Sequence, residues 1–106
     1  MVVSILTRKT RIAERSRRES ALQSALPKIR NVIAKQPGFA SLQYLWDVNE
    51  EGALAQITSW NSDEDCRRYV REGAAATVAT IEESALPTAP HPDGAWVRHT
   101  YETVEP

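Results

Sequence analysis

Residues 39–65 read FASLQYLWDVNEEGALAQITSWNSDED. In the first ten, Ala40, Leu42, Tyr44, Trp46 and Val48 alternate with Ser41, Gln43, Leu45 and Asp47. A period of two is the spacing of strand side chains, and one face is the more apolar. Asn49-Glu50-Glu51-Gly52 is polar and ends in glycine, the composition of a turn. A second apolar run, Ala53 to Trp60, follows at once. The spacing predicts an antiparallel hairpin of strands over Phe39–Val48 and Ala53–Trp60. Asn61-Ser62-Asp63-Glu64-Asp65 then opens a helix. Ser62 is a good N-cap, Asp65 stands three residues on in a weak capping box, and three acids suit the positive end of the helix dipole.

Towards the N-terminus, residues 2–8 are aliphatic and β-branched and suit a first strand. A basic stretch with Arg8, Lys9, Arg11, Arg15, Arg17 and Arg18 follows, expected to be a solvated helix face. Leu22, Ala25, Leu26, Ile29, Val32, Ile33 and Gln36 recur at helical spacing. One helix is predicted from about Ala13 to Lys35, bent at Pro27, which lacks a backbone donor. Pro37-Gly38 ends it. Towards the C-terminus, Cys66, Tyr69, Val70, Gly73, Ala74, Thr77, Val78 and Ile81 form the buried stripe of the second helix. Gly73 costs about 1 kcal/mol inside a helix and either permits close packing or marks a break. A loop from Leu86 to Gly94 holds Pro87, Pro90 and Pro92, and Ala95 to Val104 is the last strand.

The order β-α-β-β-α-β over one domain, residues 1–106, is that of a ferredoxin-like α+β fold with a four-stranded antiparallel sheet. Two helices cover one face. The second and third strands are expected to leave apolar and aromatic side chains on the other, where a second copy of the chain would cover them.

Composition excludes several classes. Net charge is −1 and charged residues make up 25%, so no general field favours nucleic acid or an anionic membrane. A single cysteine, Cys66, forbids an intrachain disulfide and points to a reducing, cytoplasmic setting. The apolar N-terminus is short and followed by Arg8 and Lys9, unlike a secretory signal. No apolar run approaches the ~20 residues of a membrane span. Neither a glycine-rich phosphate loop nor a metal-ligand cluster is legible.

Three stretches carry a family likeness. They are Gln36-Pro37-Gly38-Phe39, the strand Phe39 to Tyr44, and Ala55 to Asp65, where a strand ends in Trp60 and runs straight into an acidic helix start. With these the sequence resembles the antibiotic-biosynthesis monooxygenase-like family of dimeric α/β-barrel proteins. The resemblance implies a homodimer with a pocket between sheet and helices in each copy. Some members oxidise aromatic phenols with no metal or cofactor, and others degrade haem. The haem branch looks to need an asparagine on the first strand, a tryptophan ending the third and a histidine on the second helix. Trp60 matches, but the asparagine and the histidine are missing, so haem degradation is the less expected activity.

The expected function is a cofactor-free monooxygenase-like protein acting on a planar aromatic or quinol-type molecule. The alternative is a non-catalytic, homodimeric ligand-binding or stress-related module. Trp60 would form an apolar wall against the ligand, or simply fill the core. Tyr69 would offer a donor to a substrate oxygen, with Tyr44 and Trp46 supplying aromatic surface. Deprotonating a phenol needs a base near neutrality. His99, fixed on the last strand, is the candidate base. His91 sits in the proline loop, a possible pocket lid. Arg98 would steady an anion.

Overall fold

The computed structural model describes residues 1–92 and 94–104. Asp93, in the expected proline loop, and residues 105–106 lie outside them. The elements run β1 (Val2–Lys9), α1 (Arg15–Ile33), β2 (Phe39–Trp46), β3 (Ala53–Trp60), α2 (Asp63–Arg71), α3 (Ala74–Ala85) and β4 (Val97–Glu102). The strands form one antiparallel sheet in the order β2-β3-β1-β4. This is the ferredoxin-like α+β arrangement.

The hairpin turns earlier than its alternation suggests. β2 stops at Trp46, and the Asp47 carboxylate accepts the backbone N–H groups of Asn49 and Glu50 at 2.8 and 3.1 Å. Gly52 takes φ +86 and packs against the Thr10 carbonyl. At the other end β2 bulges, with Phe39 opposite Trp60 and Ser41 opposite Ser59. Ala40 is the extra residue and points to solvent. β4 is shorter at both ends than the last strand expected from the sequence.

The long second helix is two helices. α2 begins on Ser62, whose hydroxyl accepts the Asp65 N–H at 3.1 Å. It ends at Arg71, and Gly73 turns the chain at φ +91 before α3. The break changes the phase of the stripe, so Val70 and Thr77 are exposed, while Cys66, Tyr69, Val78 and Glu82 are buried. α1 runs unbroken through Pro27 and buries Leu22, Ala25, Ile29 and Ile33.

The core lies between helices and sheet. Ala25, Ile29 and Ile33 of α1, Cys66 and Tyr69 of α2 and Val78 of α3 close on Val2 and Trp60 of the sheet. Two members of the basic stretch also enter this layer. Arg8 and Arg18 are each only 4% exposed, which corrects the expectation of a solvated face. The Arg18 guanidinium donates to the carbonyls of Ile12 and Ala13 at 3.0 and 2.6 Å and lies over Trp46.

The other face of the sheet carries Val3, Ile5 and Thr7, Ala55, Ile57 and Ser59, Leu45, and Val97, His99 and Tyr101. Ser41, Gln43 and Lys9 share it, so an aliphatic centre around Ile5 and Ile57 is bordered by polar side chains. The aromatics of the hairpin, Tyr44, Trp46 and Trp60, face the helices instead. Among the described residues, no helix is long and apolar enough to cross a membrane.

Candidate functional site

Strand alternation puts a polar set on the helix-facing side of the sheet. Ser4 and Arg8 come from β1, Gln56 and Thr58 from β3, and each is at most 4% exposed. Buried polar groups are costly unless paired, so their partners matter.

Glu82 of α3 stands at the centre. Its Oε1 accepts from Arg8 Nε at 3.1 Å and lies 3.1 Å from a second guanidinium nitrogen. Its Oε2 accepts from the Tyr44 hydroxyl at 2.8 Å and from Gln56 Nε2 at 2.8 Å. Gln56 Nε2 also reaches the Tyr44 oxygen at 3.2 Å. A carboxylate cannot donate, so the Gln56 amide must turn its nitrogen towards it. Burial first, and the Glu82 charge next, hold the Tyr44 phenol far above its ordinary pKa. Arg8 also donates to the Leu86 carbonyl at 2.7 Å and lies over the Trp96 ring, 4.4 Å from its centroid. Removing one partner of such a pair leaves a buried charge uncompensated, at a cost of about 3–5 kcal/mol.

Beside this network lies an aromatic stack. Trp60 is fully buried, with its ring centroid 4.6 Å from Tyr69 and 5.8 Å from Phe39. The indole N–H donates to Thr58 Oγ1 at 2.9 Å. The Tyr69 hydroxyl is buried without a hydrogen-bond partner. Burial pushes its pKa up to about 12 against the opposing pull of Arg98. Arg98 donates to Ser4 Oγ at 2.7 Å. Cys66 packs nearby, and burial raises its thiol pKa too.

A cleft of about 880 Å³ opens between α1 and β2. Leu22 and Leu26 form one side and Leu42, Tyr44 and Trp46 the other, with Glu19 and Arg30 also lining it. Tyr44 therefore belongs both to the cleft wall and to the buried network. A smaller cavity of about 490 Å³, between Leu45, Ala53, Ala55 and Thr7, lies towards the opposite face of the sheet. Among the described residues, no three histidine, cysteine or carboxylate side chains gather to hold a metal ion.

The candidates from the sequence divide by face. Tyr44, Trp46, Trp60, Tyr69 and Arg98 lie on the helix side. His99 does not join them. It pairs with Ile5 in register and faces away, exposed, with its ring 6.3 Å from that of Tyr101. His91 is also exposed. Its loop is pinned at several points rather than hanging as a lid. Ala89 N donates to the Lys9 carbonyl at 2.9 Å, and the Trp96 indole to Thr88 Oγ1 at 2.9 Å. Burial raises the Glu83 carboxyl pKa, but its hydrogen bonds from Thr88 outweigh that and lower it.

Three central residues, Arg8, Gln56 and Glu82, were not among the candidates. Each continues a buried phase with a polar side chain: Arg8 after Val2-Ser4-Leu6, Gln56 between Leu54 and Thr58, and Glu82 four residues after Val78.

No family model and no curated protein matches the sequence. Solved structures match the fold. SnoaB, a cofactor-independent oxygenase from Streptomyces nogalater, superposes at TM-score 0.68 and 16% identity, over 99% of this chain and 94% of that one. A protein of Bordetella bronchiseptica, provisionally assigned as an antibiotic biosynthesis monooxygenase, gives 0.71 at 10% identity, over 98% and 97%. A monooxygenase from the gene ActVA-Orf6 of Streptomyces coelicolor, in complex with nanaomycin D, gives 0.67 at 16% identity, over 99% and 91%. The chain thus has the fold of the antibiotic biosynthesis monooxygenases.

Proposed function

We propose that this chain is a homodimeric, monooxygenase-like protein that binds a planar phenolic or quinol-type molecule in the cleft between α1 and β2. In this reading it oxidises that molecule with molecular oxygen and no bound cofactor, in a reducing cytoplasm. The observation that carries the reading is Tyr44, a cleft-wall phenol hydrogen-bonded to a buried carboxylate. The cleft, about 880 Å³, has the size of a small-molecule site. Its leucines, Tyr44 and Trp46 form an apolar strip for a flat ring, bordered by Ser16, Ser20, Gln23, Ser24 and Gln43.

Cofactor-free oxidation needs an electron-rich substrate anion. The phenol proton would leave through the Tyr44 hydroxyl, whose own hydrogen passes to Glu82. The ring anion then gives electrons to oxygen, and a carbon–oxygen bond forms as a hydroperoxide. Loss of water leaves a carbonyl at that carbon. The phenol O–H and one ring C–H, with O₂, become two carbonyls and H₂O, so one oxygen atom stays in the product. Trp60, Tyr69 and Arg98 do not line the cleft, which corrects their expected place in the pocket, and would act only by supporting the layer beside it. His99 would face the partner copy across the open side of the sheet.

Oxygen uptake with a panel of tricyclic aromatic quinols tests this. The wild type is expected to consume oxygen, and Tyr44→Phe and Glu82→Gln to lose most of the rate, while His99→Ala keeps it. Absence of both binding and uptake across the panel refutes the reading. Binding without uptake favours the second reading, a ligand-binding module, which the absence of both histidines from the cleft also supports.

A further inference from the structure

We infer that the cleft takes a flat ring bearing an anionic group at one end, with Arg30 receiving the anion and so setting the direction in which the ligand lies. The inference rests on the cleft being the ligand site.

The wall supplied by α1 is one helical stripe. Ser16, Glu19, Gln23, Leu26 and Arg30 recur at intervals of three or four residues, and all line the cleft. Glu19 and Arg30 thus stand on one face, about 16 Å apart along the helix axis. The facing strand fixes which end is which. Arg18, next to Glu19, lies over Trp46, and Leu22 and Leu26 pack with Tyr44 and Trp46. Ile29 and Ile33 pack with Phe39 and Leu42. Glu19 therefore marks the Trp46 end and Arg30 the Leu42 end, with the apolar strip between them.

The two ends differ in charge. Glu19 is the one carboxylate among the described residues that line the cleft, and Arg15 meets it at 2.9 Å. Arg30 is exposed and, among the described residues, has no carboxylate within ion-pair distance. Its guanidinium is always charged and presents a planar fork of donors that matches a carboxylate. A neutral ring leaves that fork to water, whereas a ring with a carboxylate at the Leu42 end pairs it. The Trp46 end, where the lining charge is an acid already paired, gives an anion no such partner. The acid group thereby decides which part of the ring lies along Tyr44 and which along Trp46.

Arg30 also stands in the last turn of α1, where a cation suits the helix dipole whatever the cleft binds. The test separates the two roles. Calorimetry on the full chain near neutral pH compares rhein, a flat phenolic tricycle with one carboxylate, with its primary amide, the uncharged isostere. The wild type is expected to bind rhein about fivefold tighter, the size of an exposed ion pair. The preference fades between about 0.02 and 0.5 M salt. In Arg30→Gln rhein weakens to the level of the amide, while the amide is unchanged. Lys28→Gln, which removes a cation from the groove between α1 and α3, keeps the preference. Both side chains are exposed, so neither substitution threatens the fold. A dipole role alone would lower the melting temperature of Arg30→Gln and leave the affinity ratio intact. Equal affinities in the wild type, an intact preference in Arg30→Gln, or an equal loss of it in Lys28→Gln overturns the inference and leaves the cleft reading standing. Failure of both ligands to bind the wild type overturns the two together.

Discussion

Tyr69 carries a hydroxyl into the core with nothing to bond. Such a group loses its hydration and recovers little, a cost of about 1–3 kcal/mol. Its ring, by contrast, packs on Trp60 and is worth keeping. Tyr69→Phe removes only the oxygen and is expected to raise stability by about 1 kcal/mol, several degrees in a thermal melt. A lower melting temperature would mean that the hydroxyl has a partner. Legibility at this scale follows from what each side chain bonds to. Tyr44, Trp46 and Trp60 are visible in the sequence because apolar alternation marks them. Arg8 and Glu82 are not, because 74 residues separate them. Each looks like an ordinary surface charge until the fold brings the other to it. His99 shows the converse. Its residue type suits a base, but strand parity alone sends it to the far face, and that parity follows from pairing with Ile5.

At the scale of elements, two glycines do different work at the ends of α2. A Cβ on Gly38 would overlap the Asp65 carboxylate, so glycine there lets the start of β2 approach the first turn of α2. A Cβ on Gly73 would meet nothing within 4 Å, and only the backbone angle of +91° demands glycine. Gly73→Ala is therefore expected to cost about 1–2 kcal/mol through backbone strain alone. Gly38→Ala should cost more, since overlap with Asp65 adds to the strain at φ +78. Chemical denaturation of both variants checks the order, and equal losses would remove the argument. The elements themselves were largely legible. β3 and the Ser62 cap follow from local composition, and the Pro37-Gly38 stop from backbone chemistry. The break at Gly73 was legible only as an option. A glycine in a helical pattern is either tolerated or a break, and packing of α3 against α1 decides between them.

For the whole molecule, the unresolved balance lies on the open face of the sheet. Ile5 of β1 pairs with Ile57 of β3, and both point away from the helices. Leu45, Val97 and Tyr101 extend the patch to both edges and are 43%, 43% and 53% exposed. Apolar area left in water forgoes roughly 25 cal/mol per Å², and a contiguous patch of this kind marks a partner surface. A second copy offers the same patch, and a two-fold axis lets each cover the other. Light scattering behind a sizing column should give twice 11.9 kDa for the wild type at micromolar concentration. Ile57→Asp puts a charge at the middle of the face and is expected to give a folded particle of 11.9 kDa. The side chain is partly exposed in the single chain, so the carboxylate keeps access to water there. In the dimer it would be buried without a cation and opposed by its own symmetry mate. A wild type that runs at 11.9 kDa, or an Ile57→Asp variant that stays at twice that mass, would place the partner surface elsewhere.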